Sequence, residues 1–300
     1  MPVWLPVTIT AALFQCWRTA VQQKLRGVLS VNAASFIRYL YGAPTALLLL
    51  LAMAATGDPL PAPNLRFLLD CIACGLLQIL ATVLLIMAFG FRNFAVGTAY
   101  SKTDAMQTAI VALIVLHEAL HPLAWFGIAL GVSGVMTLSL AGRGLHPRAL
   151  LAASVQPAAL CGLGAGFFFA VTAVFIKLAN QALAGPSIML RALVVLVVTN
   201  TVQTLMQGAW LAWREPEELR KSITAWRSAS WAGTLSAAGS ACWFTAFALA
   251  PVGLVRAVGQ VEIVFTLLFS RFYLKETLRP ADIAGLALVV CGVLLIVSGY

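Results

Sequence analysis

Charge is what this sequence has least of: 10% of its 300 residues are Asp, Glu, Lys or Arg, while 61% are hydrophobic. Soluble domains carry about 25% charged residues, and a soluble core has to be covered by polar surface. The composition therefore excludes water as the solvent for most of the chain. Basic runs are absent too. No stretch of five or more Lys or Arg occurs, and the net charge of +9 is scattered between apolar segments. That leaves no basic face to read phosphates and excludes nucleic acid as a partner. No basic segment precedes the first apolar run, which reads as a permanent span rather than a cleaved leader. No phosphate loop with its Lys is present, which excludes an ATP-driven pump within the chain. The six cysteines (Cys16, Cys71, Cys74, Cys161, Cys242, Cys291) all fall in apolar segments. Thiols pack there as small hydrophobes, so Cys71-x-x-Cys74 on an apolar helix is a poor redox or zinc site.

What is present is a series of long apolar runs. About 20 such residues cross a bilayer as a helix, and the runs are too uniformly apolar for barrel strands. Ten candidates result: 3–23, 32–55, 67–90, 94–116, 122–141, 156–178, 187–212, 229–250, 253–273 and 280–299. The longest polar stretch, Arg214 to Arg227, is a connection, and residues 142–155 form the natural linker between two halves. The expected fold is an all-α integral membrane protein of about ten transmembrane helices, with 1–141 and 156–300 as its two five-helix halves.

The halves repeat each other. Residues 88–135 align without a gap to 246–293 (246 − 88 = 158): Glu118, Leu120, Pro122, Gly127 and Gly134 match Glu276, Leu278, Pro280, Gly285 and Gly292. Asp104 falls opposite Glu262, and Thr108 opposite Thr266. Earlier segments align at 172 − 19 = 153, where Thr19-Ala20-Val21 matches Thr172-Ala173-Val174 and Arg38 matches Arg191. Two copies of an odd number of spans lie in opposite senses across the bilayer, an inverted repeat whose substrate site is expected near the midplane. Lys and Arg are biased to one set of loops. That side holds Lys24, Arg26, Arg92, Arg143, Arg148, Arg214, Arg220, Lys221, Arg227, Arg271, Lys275 and Arg279, against Arg66 and Lys177 on the other. The positive-inside rule then puts both termini outside.

Charges within spans are functional candidates by default, because each costs about 2.5–3.5 kcal/mol on insertion scales. Those singled out are Arg18, Arg38, Lys102, Asp104, Arg191, Arg256 and Glu262. Asp104 shares a helix face with Tyr100, Gln107 and Thr108, and Glu262 with Thr266; Lys102, Gln260 and Arg256 fall on opposite faces. One reading has a carboxylate binding a substrate ammonium or carrying a proton. The other locks it in a structural pair with Arg18, Arg38, Arg191 or Arg256. Arg18 sits in a polar patch with Trp17 deep in the first span and suits a carboxylate or phosphate. Arg38 and Arg191 lie near helix starts and can snorkel. Trp17, Tyr100 and Trp243 are candidate aromatic walls. His117-Glu118-Ala119-Leu120-His121 matches the H-E-x-x-H of zinc proteases, but Pro122 follows at once and the repeat copy, Lys275 to Arg279, lacks both His. Gly162-x-Gly164-x-Gly166 lies in an apolar span and reads as close helix packing.

These residues resemble the drug/metabolite transporter superfamily, EamA type. The resemblance rests on His117-Glu118-x-Leu120-x-Pro122 leading to Gly127 and Gly134, and on Lys275-Glu276-x-Leu278-x-Pro280 leading to Gly285 and Gly292. The family pattern is a Gly-Glu-x-Leu turn before a Gly-containing final helix; here His117 and Lys275 stand where Gly is usual, and Glu262-Ile263 replaces a frequent Glu-Pro. The resemblance implies ten helices around a central cavity, with the fifth and tenth outside it. It also implies a transporter rather than an enzyme, in a cell membrane, with the bacterial inner membrane the expected one. The expectation is a secondary transporter that exports an amino acid or similar small polar metabolite. Its alternatives are a lipophilic-cation exporter of the same superfamily and, distantly, an intramembrane metalloprotease. Substrate contacts are expected from Trp17, Arg18, Tyr100, Asp104, Gln107, Trp243, Gln260 and Glu262, with Glu262 and Asp104 as the residues coupling to a proton. The expected partners are the lipid bilayer and the small-molecule substrate. No cofactor or metal is expected, and the oligomeric state is left open.

Overall fold

A computed structural model describes residues 2–25, 28–90, 99–140, 156–272 and 280–299. The described residues form helices and no strand. In chain order they are α1 (Trp4–Leu25), α2 (Val31–Leu40), α3 (Gly42–Ala54), α4 (Leu65–Gly90), α5 (Asp104–Leu116), α6 (Pro122–Leu140) and α7 (Pro157–Ala182). There follow α8 (Ile188–Arg214), α9 (Pro216–Thr224), α10 (Trp226–Leu249), α11 (Val252–Val258), α12 (Glu262–Phe272) and α13 (Pro280–Ser298). The linker 142–155, the turn at 275–279 and His146 lie outside the described residues.

Local chemistry sets the helix starts. Pro122, Pro157, Pro216 and Pro280 each open a helix, where a missing N–H costs nothing. Ser30 and Ser187 cap α2 and α8 by accepting from the N–H of Ala33 and Leu190, and Asn64 Oδ1 accepts from the N–H of Phe67 at the start of α4. Among the described residues, five helical stretches are long and apolar enough to cross a membrane: Val31–Ala54, Leu65–Ala88, Pro157–Ala182, Ile188–Arg214 and Trp226–Leu249. Pro122–Leu138 and Asp282–Ser298 are shorter apolar helices.

Three of the expected spans are not continuous helices. The run 32–55 is interrupted at Tyr41, where Pro44 has no N–H to offer the Leu40 carbonyl, four residues back. The runs 94–116 and 253–273 are interrupted at Lys102–Thr103 and at Gly259–Val261. The expected connection at 214–227 contains α9, a polar helix with Glu217 and Glu218 in its first turn and Lys221 in its last, as the helix dipole favours.

The chain forms two compact units. Unit 1 is Met1–Ile79 with Phe175–Ala250, and unit 2 is Leu80–Val174 with Pro251–Tyr300. The chain changes unit inside α4 and inside α7. In unit 1, α1 packs on α10, and α8 packs on α2, α3 and α10. Amides join these helices. Gln203 Nε2 donates to Gln78 Oε1 at 2.7 Å and to the Gly75 carbonyl; Gln207 accepts from Ser35 Oγ and donates to the Asn32 carbonyl. Hydrogen bonds of this kind between helices hold membrane bundles together.

Unit 2 joins α6 to α13 by glycine instead. A Cβ on Gly127 would sit 2.7 Å from the Gly292 carbonyl oxygen, and one on Gly134 would sit 2.7 Å from that of Gly285. The glycines matched by the repeat are thus the points where the two backbones touch.

Candidate functional site

The two interrupted spans of unit 2 break at repeat-equivalent positions. At Lys102 and Thr103 the N–H groups bond three residues back, to Ala99 and Tyr100 carbonyls, and α5 resumes at Asp104. In the other copy α11 gives way to a 3-10 turn at Gly259–Val261 and α12 resumes at Glu262. Each carboxylate thus stands in the first turn of a half-helix, where the dipole favours an anion. A mid-helix 3-10 stretch commonly marks a functional hinge, and discontinuous helices build the binding sites of many transporters.

The charges at the breaks are paired crosswise. Lys102 Nζ donates to Glu262 Oε2 at 2.7 Å, with the two side chains 23% and 11% exposed. Arg256 is ion-paired with Asp104, and its guanidinium also lies over the Phe169 ring of α7, 5.8 Å from the centroid. Gln260 Nε2 points to the Lys102 carbonyl at 3.4 Å. The Gln260 side chain has room because residue 131 of α6 is Gly: a Cβ there would come within 2.5 Å of Gln260 Oε1. Thr103 Oγ1 donates to the Tyr100 carbonyl and accepts from Gln107 Nε2, while Gln107 Oε1 is buried without a hydrogen-bond partner. Tyr100 is buried against Ala159, with Met136 and Leu163 beside it. The structure therefore brings Tyr100, Asp104, Gln107, Gln260 and Glu262 into one unit and adds Lys102 and Arg256 as their counter-charges. Two acids and two bases leave this cluster neutral. Of the pairing partners considered from sequence, Arg256 is the one found on Asp104. Helical periodicity places Lys102 on the face opposite Asp104, and Glu262 on the neighbouring helix is what it meets.

The remaining candidates belong to unit 1. Trp243 is buried, stacks on Phe247 and donates from Nε1 to Gln15 Oε1 at 3.1 Å. Trp17 is 57% exposed and Arg18 half-buried. Arg38 does not snorkel. It is 4% exposed, its Nε donates to Ser236 Oγ, and it lies beside the Tyr39 ring, because the break at Tyr41 holds the end of α2 inside the unit. Arg191 does turn back toward its helix start, donating from Nη1 to the Leu183 carbonyl.

The H-E-x-x-H residues are not on a helix. α5 stops at Leu116, and His117 adopts a left-handed conformation with φ 55°. Glu118 Oε2 accepts from the N–H of Val252 at 2.7 Å and so caps α11, while His121 Nδ1 accepts from the N–H of Leu123 at the start of α6. The two His do not share a helical face, and all three polar residues serve as caps. Outside the spans, α9 is tied to the start of α2: Ser30 Oγ and Asn32 Nδ2 donate to Glu215, and the Ser30 N–H donates to Glu218 at 2.7 Å. Hydrogen bonds from Lys221 first, then from Ser30, hold the Glu218 carboxyl below its ordinary range, and the same contact raises Lys221.

Asp70, in α4, is not among the intramembrane charges expected from sequence. It is a single acid close to a helix start, a position easily taken for the membrane edge, yet it is buried.

Comparisons with known proteins bear on the fold and on the family. Twenty-eight chains of solved structure match. One of them, described only as a crystal structure of a protein, superposes with a TM-score of 0.73 over 98% of this chain and 95% of its own, at 15% identity. That likeness is one of fold. No curated protein matches in sequence. The model of the EamA-like transporter family matches twice, over residues 3–140 and 156–298. The chain belongs to the EamA-like transporter family, membrane transporters of the drug/metabolite superfamily built from two copies of one repeat.

Proposed function

We propose that this protein is a secondary transporter that moves a small zwitterionic metabolite, such as an amino acid, across a cell membrane by alternating access. The reading includes ten spans in two inverted five-helix repeats, with both termini on the face poor in Lys and Arg. The observation that carries it is the neutral, crosswise set of ion pairs at the two helix breaks of unit 2. An unpaired buried charge is costly, so a substrate that pulled one charge out of a pair would leave its partner stranded. A zwitterion avoids this: its ammonium replaces a base beside Asp104 or Glu262 while its carboxylate takes up the freed Arg256 or Lys102. Arginine and lysine suit that carboxylate. A lipophilic cation has no anionic group to give the displaced base.

The experiment is ligand-dependent thermal stabilisation of the purified protein, screened across amino acids, nucleotide-sugars and cationic drugs. A ligand at about 100 times its Kd adds about 2.7 kcal/mol. Stabilisation by an amino acid, lost in Glu262→Gln and in Arg256→Gln, supports the reading. Stabilisation by lipophilic cations alone overturns it and leaves both pairs as structural contacts.

A further inference from the structure

Unit 1 contains a buried carboxyl that the ion-paired site does not use. Asp70 lies in α4, five residues after Leu65, about 7.5 Å of helical rise from the start of the helix. It is 9% exposed, and its Oδ2 has no hydrogen-bond partner. On the facing helix α8, Gln203 Oε1 is likewise buried without a partner, and the buried Thr199, one turn before it, lies against the Cys71 and Cys74 thiols of α4. The helices can approach because residue 75 is Gly, where a Cβ would lie 3.3 Å from Gln203 Cγ and 3.4 Å from Val202.

The charges on the elements that touch α4 are these. On α2, which reaches α4 through Tyr39 Oη on the Gln78 carbonyl, the charge is Arg38, with its Nε on Ser236 Oγ. On α4 itself the titratable groups are Arg66, one turn nearer the helix start and exposed, and the buried thiols Cys71 and Cys74. On α8 the nearest charge is Arg191, two turns before Thr199, with its guanidinium on the Leu183 carbonyl. The end of α7 meets the start of α4 through Asn64 and the Ala182 carbonyl, and its Lys177 donates to the Ala250 carbonyl at 2.9 Å.

We propose that Asp70 is a proton-binding site, and that it, rather than Asp104 or Glu262, is the residue through which transport responds to protons. Each unit 2 carboxylate already faces a base, so a proton taken up there would leave Lys102 or Arg256 as an uncompensated buried cation. A proton on Asp70 strands nothing. It removes an anion from an apolar setting, at an oxygen that has no hydrogen-bond donor. The proton comes from solvent at the Arg66 end of α4 and returns there. The consequence for transport rests on the transporter reading; the binding of the proton does not.

The test therefore needs no substrate: infrared difference spectroscopy of the purified full chain as pH is raised, reading the carbonyl stretch of a neutral carboxyl. The expected result is a neutral-carboxyl band at neutral pH that shifts when the protein carries isotope-labelled aspartate. It should disappear in Asp70→Asn and persist in Asp104→Asn and Glu262→Gln. Absence of the band from the wild type, or of any shift on aspartate labelling, overturns the proposal without recourse to a variant. Persistence of the band in folded Asp70→Asn, or its loss in Asp104→Asn, does so as well.

Discussion

The two units solve the problem of burying polar groups in different ways. Unit 2 buries formal charge and neutralises it locally, acid against base, at two helix breaks. Among the described residues, the core of unit 1 buries Arg38, whose Nε donates to the Ser236 hydroxyl, and joins α8, α4 and α2 through amides and hydroxyls, with one carboxyl oxygen left without a partner. The difference is one of reversibility. An ion pair can exchange partners with an incoming ion pair, whereas an amide ladder has nothing to exchange and mainly fixes geometry. Under the proposed function, unit 2 would hold the charged ligand, and under the further proposal Asp70 would be the titratable point of unit 1.

The largest effect that tests this contrast comes from breaking one pair. Asp104→Asn leaves Arg256 buried without its counter-charge, and removing one partner of a buried pair costs about 3–5 kcal/mol. Thermal unfolding in detergent should show that loss for Asp104→Asn and recovery of most of it in the double variant Asp104→Asn/Arg256→Gln. Asp70→Asn, which strands no cation, should be close to wild type. If Asp104→Asn is silent, or Asp70→Asn costs as much, the two units do not differ in the way described.

The second test concerns how each unit joins its helices. Gly134→Ala places a methyl 2.7 Å from the Gly285 carbonyl and 2.8 Å from Leu288 Cβ, so α6 and α13 must move apart. Overpacking of that kind costs about 1–3 kcal/mol. Gln203→Leu in unit 1 removes interhelical hydrogen bonds that average about 0.6 kcal/mol in membrane proteins. Unfolding midpoints should rank Gly134→Ala below Gln203→Leu; the reverse order would make the amide ladder, rather than the glycine contact, the stronger joint.

Most of the architecture was legible in the sequence, and the reason is hydropathy. Lipid demands apolar helices of a set length, so the runs had to be where they are. The repeat pointed to Gly127, Gly134, Gly285 and Gly292 because backbone contact tolerates no Cβ. The carboxylates Asp104 and Glu262 were legible for the same reason: charge is rare in these segments. The helix breaks were not, since nothing in Tyr100-Ser101-Lys102-Thr103 or Gly259-Gln260-Val261 forbids α-helix; tertiary packing imposes the turn. Crosswise pairing was equally hidden, because helical periodicity assigns faces within one helix and not partners on the next. Asp70 was lost to its position, since depth in a bundle does not follow from distance along the sequence.

A smaller effect separates charge pairs at the edge of unit 1 from those inside unit 2. Glu218 joins α9 to α2 through Ser30 and pairs with Lys221, whose side chain is 51% exposed. Its carboxyl lies below the ordinary value when folded, so its contribution is present above an unfolded value of about 4.3 and fades as pH falls through the lower folded one. Glu218→Gln should cost at most about 1 kcal/mol at neutral pH, as exposed pairs do. The cost should shrink in high salt and vanish in acid. A salt-independent cost would mean that this edge pair is as buried as those of unit 2.

The smallest predicted change is a gain, and it sits at the turn that ends α5 in unit 2. His117 is held at φ 55°, a conformation that costs an L-residue about 1–2 kcal/mol and that glycine adopts freely. The family pattern usually has Gly at this point of the turn, and the backbone here shows why: the chain must reverse into a left-handed residue so that Glu118 can reach the N–H of Val252. His117→Gly should relieve the strain while giving back about 0.5–1 kcal/mol through a more flexible unfolded chain, a net gain of up to about 1 kcal/mol. The measurement is a rise of about 1–2 °C in the unfolding midpoint. Because no zinc chemistry is assigned to His117, ligand-dependent stabilisation should be unchanged in the same variant. A fall in midpoint would show that the imidazole makes a contact worth more than the strain, and the turn would then be held by its side chain rather than by its backbone.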